Sequence, residues 1–176
     1  DRMGDAALLV TLGDSLDAGS NDLAHRVALA LGQCRESRPG LGTAVPGHAG
    51  VLVPFDPDVI PEDEVRDLGA DGLVPTAGSV ARREGTLWEI GVSYGGADGP
   101  DLPEVAARTG MSEADVVRMH AGVEYRVFVL GFVPGFPYLG VVPAALDLPR
   151  RATPRVRVPA GSVAIAGRQA GIYPFA

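Results

Sequence analysis

The chain contains no lysine; all 15 of its basic residues are arginine. That excludes a Schiff-base lysine and a phosphate-loop lysine from these 176 residues. Cysteine occurs once, at Cys34, so neither an internal disulfide nor a cysteine zinc cluster can form. Cys34 sits in "ALALGQCRE", a helical pattern, and is expected to be a small packed side chain rather than a nucleophile. The three histidines, His25, His48 and His120, are too scattered for a metal-binding spacing, and no metal is expected. No apolar run reaches the roughly 18 residues of a membrane span. The opening "DRMGDAALLV" lacks the basic-then-apolar order of an export signal. A cytoplasmic location, off the membrane, is the expectation.

Acidic residues are missing from one region only. None of the 22 follows Asp147, whereas Arg150, Arg151, Arg155, Arg157 and Arg168 do. The last 29 residues therefore carry +5 and the first 147 carry −12, for a net −7. Nucleic-acid binding does not suit that balance. A focused positive field on an acidic protein suits a small anion or an acidic partner surface. The plainer alternative is a pair of strands with solvated arginines.

What is present reads as two halves, 1–83 and 84–176, divided in "ARREG". In the first, "DAALLVTLG" is strand-like. "SNDLAHRVALALGQCRE" has helical spacing and a start that Ser20 or Asn21 can cap. "GTAVPG" and "GVLVPFD" read as strands joined by a tight turn over residues 47–50. "PEDEVRDLG" is a short helix by its leading proline, early acids and closing glycine. "TLWEIGVSY", residues 86–94, alternates like a strand. Strand, helix, strand, strand, helix, strand is the ferredoxin-like split βαβ order. In the second half, "DLPEVAARTG" and "SEADVVRMHAG" are helical, the latter opened by Ser112 with Asp115 three residues on. "VEYRVFVLGF" is strongly strand-prone. The proline- and glycine-rich remainder suits short strands of a small barrel or sandwich.

Two motifs invite chemistry. "GDSL" at residues 13–16 matches the nucleophile box of an esterase superfamily, with "GSND" at 19–22 echoing a second block. Those blocks belong far apart on a doubly wound sheet, and no histidine follows His120. The better reading is a strand-to-helix turn in which Asp14, Ser15, Asp17 and Ser20 supply turn and cap oxygens. "LGFVPGFPYLG", residues 130–140, is more unusual. It sets Phe132, Phe136 and Tyr138 around Pro134 and Pro137, which neither a helix nor a central strand accommodates. His120, just upstream, either steadies a helix C-terminus or carries a proton.

The long ordered series "SYGGADGPDLPEVAARTGMSEADVVRMHAGVEYRVFVLGFVPGFPYLG" and "PRRATPRVRVPAGSVAIAGRQAGIYP" resembles the B subunits of bacterial ATP-dependent 5-oxoprolinases. That family is also known as allophanate hydrolase subunit 1 and includes the sporulation-kinase inhibitor KipI. The resemblance spans nearly the whole chain. It implies an α+β protein, a ferredoxin-like N-terminal part followed by a cyclophilin-like β-barrel. The family pattern runs on past "GIYP", so an incomplete barrel with unpaired strand edges is expected. It implies a non-autonomous hydrolase subunit, with ATP consumed by the complex. The implied partners are an allophanate hydrolase subunit 2-like protein and a LamB/YcsF-type subunit. Inhibition of a sensor histidine kinase, or the carboxyltransferase half of a biotin-dependent urea carboxylase, are the alternatives within the family.

5-Oxoproline is a lactam bearing a carboxylate, so a site for it needs cationic donors and water-excluding walls. Arg150, Arg155 and Arg168 are the candidate donors, with Arg155 expected to matter more than Arg157. Phe132, Pro134, Phe136 and Tyr138 would form a stiff aromatic rim facing substrate or partner. Ser162, Gln169 and Tyr173, in the "VPAGSV" and "GRQAGIYP" stretches, complete the candidate binding set. His120 is the candidate catalytic group.

Overall fold

A computed structural model describes residues 1–68 and 85–176. The expected boundary at residue 83 lies outside the described residues. The chain divides into two compact units, Asp1–Gly85 and Thr86–Ala176. Among the described residues no helix is long and apolar enough to cross a membrane.

In the first unit, the β-prone start forms β1 (Ala7–Thr11) and the long amphipathic stretch forms α1 (Ala18–Cys34). The turn between them is the "GDSL" segment, and its oxygens act as caps. The Asp17 carboxylate accepts from the Ser20 backbone N–H (2.9 Å) and from the hydroxyls of Ser15 and Ser20 (2.7 Å each). The cap is Asp17, one of the expected turn and cap oxygens, and not Ser20 or Asn21, because the helix opens already at Ala18. Those contacts, led by the Ser20 N–H, hold the Asp17 carboxyl down at about 2.

Strands β2 (Val45–Pro46) and β3 (Gly50–Pro54) follow, then helix α2 (Glu62–Asp67). The sheet order is β1-β3-β2, antiparallel throughout. β3 therefore lies between the two strands that α1 connects, a split βαβ arrangement. Alternate residues Val51 and Val53 of β3 are buried with Ala24, Val27 and Leu31 of α1. Each of these buried valine and leucine side chains contributes roughly 1.5–3 kcal/mol. Cys34 packs against this core as expected. Asn21, fully buried, donates through Nδ2 to the Gly47 carbonyl at 3.0 Å and pins α1 to the β2–β3 turn.

In the second unit, helices α3 (Leu102–Thr109) and α4 (Glu113–Ala121) form as expected. Gly110 closes α3 in the left-handed region at φ 71°, where a Cβ is penalised. Ser112 caps α4, accepting from the Asp115 N–H at 3.1 Å while its hydroxyl donates to the Asp115 carboxylate at 2.7 Å. Strands β4 (Arg126–Leu130), β5 (Pro137–Gly140), β6 (Val163–Ala166) and β7 (Gln169–Ile172) make an antiparallel sheet of order β4-β5-β7-β6. Ala106 and Val116 of the helices are buried in one cluster with Val142, Leu146 and Ala170.

One expectation fails here. Residues 86–94 form no strand: Leu87, Trp88 and Ile90 are exposed and the segment joins neither sheet. The described strands of this unit form an open sheet with β4 and β6 as its edges, in line with the expectation of unpaired strand edges. The run between Leu146 and Val163 carries Pro149, Pro154 and Pro159 and bends without forming a strand, as proline lacks the N–H a ladder needs.

Candidate functional site

Residues 131–136 connect β4 to β5 as a tight turn. Phe136 N–H donates to Val133, Val133 N–H to Gly131, and Gly131 N–H back to the Phe136 carbonyl, at 3.1, 2.8 and 3.1 Å. Phe132 lies at φ 67°, an uncommon backbone state for a bulky residue. Pro134 is exposed, and Pro137 opens β5, where a strand tolerates proline.

The rings do not form a uniform rim. Phe136 is buried at 6% exposure, whereas Phe132 is 73% exposed. Phe136 is the hub of a cluster, with edge-to-face contacts to Phe132 (5.5 Å), Tyr138 (5.0 Å) and Tyr173 (5.1 Å). Each such pair adds about 0.5–1.5 kcal/mol beyond its buried area. The expectation of Phe136 as a surface ring is corrected: it faces inward because Gly171, on β7, leaves room for it. Phe132 supplies the outward face, with Tyr138 and Tyr173 half-buried behind it.

The arginines are dispersed rather than convergent. Arg155 makes a two-pronged contact to the Asp101 carboxylate, 2.5 Å on each prong. Arg151 Nη1 bridges Asp101 (2.7 Å) and Glu104 (2.8 Å). The hydrogen bond from Arg155, with the charges of Arg155 and Arg151, holds the Asp101 carboxyl below its ordinary value against the opposing effect of burial. Arg155 thus already holds a carboxylate of its own chain. Arg168 donates from Nε to the Val142 carbonyl at 2.7 Å. Arg150 and Arg157 are exposed. Ser162 and Gln169 serve backbone pairing: the Ser162 carbonyl accepts from Tyr173 N–H at 2.9 Å, and Gln169 lies in register with Gly140 and Ala166.

His120, in the last turn of α4, belongs to a separate cluster that the sequence hides. Its Nδ1 lies 2.6 Å from the Tyr94 hydroxyl. The Tyr125 ring stacks obliquely at 5.3 Å, and its hydroxyl donates to the His120 carbonyl at 3.1 Å. Burial pushes the imidazole below its ordinary value, pushes the Tyr94 phenol up, and takes Tyr125 to about 12. Tyr94 and Asp101 are the residues that sequence reasoning missed. Only the spacing of "SYGG" and "GPDL" around the helices could have marked them. Among the described residues no group of three or more His, Cys, Asp or Glu is placed to hold a metal.

The whole chain, residues 1–176, matches the family described as carboxyltransferase domain, subdomain C and D. It is 41% identical over 180 residues to the 5-oxoprolinase B subunit of Escherichia coli O157:H7, covering 99% of this chain and 77% of that one. The crystal structure of TTHA0988 superposes with a TM-score of 0.76 at 38% identity, over 97% of this chain and 32% of that one. The urea carboxylase of Kluyveromyces lactis superposes at TM-score 0.68 and 18% identity, over 98% of this chain and 17% of that one. At that identity the likeness shows the fold alone.

Proposed function

The chain belongs to the carboxyltransferase-domain family, subdomain C and D, and on that premise we propose that it is a subunit of an ATP-dependent amidohydrolase of the 5-oxoprolinase type. The carrying observation is the 41% identity to a 5-oxoprolinase B subunit across 99% of this chain. The reaction opens 5-oxoproline to glutamate at the expense of ATP. The partners are an allophanate hydrolase subunit 2-like protein and a LamB/YcsF-type subunit, and the complex works in the cytoplasm. The second unit corresponds to a cyclophilin-like part and the first to a ferredoxin-like part.

The chain has no lysine, and Arg151 and Arg155 are engaged by Asp101 and Glu104. We therefore assign nucleotide binding to another subunit. Phe132, with Tyr138 and Tyr173 behind it, is the face offered to substrate or partner. Of the three candidate donors, Arg150 and Arg168 are left to meet the substrate carboxylate, with Arg155 joining only if Asp101 releases it. The carboxyltransferase reading rests on fold likeness and stands second. The discriminating experiment is co-expression with both partners and assay of glutamate from 5-oxoproline against ammonia from allophanate. Allophanate turnover without 5-oxoproline turnover would reverse the proposal.

A further inference from the structure

The Tyr94 and His120 pair uses chemistry that the aromatic turn and the arginines do not supply. Tyr94 ends the exposed segment 86–94, and His120 ends α4. Their side chains meet through one short contact, Oη to Nδ1 at 2.6 Å. A phenol is the stronger acid and an imidazole nitrogen the stronger acceptor, so Tyr94 donates. That leaves the one N–H proton of the neutral ring on Nε2, and among the described residues no partner takes it. Tyr125 backs the ring and caps the end of the helix through the His120 carbonyl. Its hydroxyl proton is committed to that carbonyl and not to the ring, so it stands outside the relay.

Resting on the 5-oxoprolinase reading, we propose that Tyr94 and His120 form a proton relay that protonates the ring nitrogen as the lactam opens. When the carbon–nitrogen bond breaks, its electron pair stays on nitrogen. Unprotonated, that nitrogen would depart as an amide anion, far more basic than a phenolate, so a phenol is acid enough to serve. The Nε2 proton moves to the nitrogen, and the Tyr94 proton moves to Nδ1. The balance is one carbon–nitrogen bond broken, one nitrogen–hydrogen bond formed, and a transient Tyr94 phenolate. Nδ1 then returns its proton to the phenolate while Nε2 takes one from solvent. Burial suits this route, because it keeps the imidazole uncharged at neutral pH and so removes imidazolium as the donor.

Two measurements test the relay. In the isolated chain, nitrogen NMR of His120 is expected to show the Nε2–H tautomer, switching toward a mixture in Tyr94→Phe. An Nδ1–H tautomer in the unsubstituted chain would overturn the proposal whatever the complex does. In the reconstituted complex, Tyr94→Phe and His120→Gln are each expected to lower kcat by about a hundredfold to ten-thousandfold, with KM nearly unchanged. The double variant should be no worse than either single one, since relay members fail as a unit. Thermal midpoints verify folding, and imidazole should restore part of the activity of His120→Gly. An active wild-type complex in which Tyr94→Phe keeps kcat within about threefold, or in which the two losses multiply, would overturn the relay alone. A wild-type complex without glutamate release would instead remove the 5-oxoprolinase reading.

Discussion

Replacing Gly171 with alanine should damage the second unit through a single ring. A Cβ at Gly171 would lie 2.5 Å from Phe136 Cζ and 2.9 Å from Cε1. Carbon atoms in contact settle at about 3.5–4.0 Å, so the ring must retreat by roughly 1 Å. Phe132, Tyr138 and Tyr173 hem it in at centroid distances of 5.5, 5.0 and 5.1 Å. Overpacking of that kind costs about 1–3 kcal/mol. For a domain of this size that lowers the thermal midpoint by roughly 5–20 °C. Glycine to alanine in a strand otherwise gains about 0.4–1 kcal/mol through the unfolded chain, so a loss can come only from the clash. Gly131→Ala is the matched control. Its Cβ would meet only Tyr138 Cε2, at an ordinary 3.9 Å, and should change stability by no more than about 0.5 kcal/mol. Phe136→Leu in the Gly171→Ala background should recover part of the loss. The assay is thermal and urea unfolding followed by near-ultraviolet circular dichroism. Equal midpoints for Gly171→Ala and Gly131→Ala would refute the inward placement of Phe136.

Asp101→Asn removes the carboxylate that Arg155 and Arg151 share. At this exposure it should cost about 0.5–1 kcal/mol, less in high salt. The Asp101 pKa is lowered on folding, so its contribution is complete above the ordinary value of 3.8 and is lost as pH falls through the lower folded value; the variant should lack that acid-side slope in unfolding midpoints. Asp17→Ala should lower the midpoint of the first unit. The Asp17 contribution should fade between pH 3.8 and about 2, which a carboxyl NMR titration reads directly. Phe132→Ser should leave stability within about 0.5 kcal/mol, the ring being 73% exposed, yet weaken capture of the partner subunit in co-purification.

Elements announced by local punctuation are legible in the sequence itself. Proline and acids open α2, Ser112 and Asp115 open α4, and glycines bound the β2–β3 turn, because each signal acts within one turn of its own residue. The "GDSL" box reads as capping for the same reason, since Asp17 needs only Ser15 and Ser20. Residues 86–94 mislead because strand propensity reports a willingness to pair, not the presence of a neighbour. The aromatic turn is half legible: its rings and prolines announce stiffness. The direction of Phe136, however, depends on Gly171 across two strands. Likewise Arg155 reads as free for an anion because nothing near it in sequence is acidic. Its partner Asp101 lies in another segment altogether. Long-range pairing decides each miss, and one sequence carries no record of it.

The most direct test of the subunit assignment is a subunit-omission assay on the purified complex. This chain, the subunit 2-like protein and the LamB/YcsF-type protein are mixed with ATP and 5-oxoproline, and ADP and glutamate are counted together. Glutamate should form only with all three present, with one ADP for each glutamate, and this chain alone should release none. Glutamate formation that proceeds undiminished when this chain is left out would contradict the assignment, as would ATP-dependent release by this chain alone.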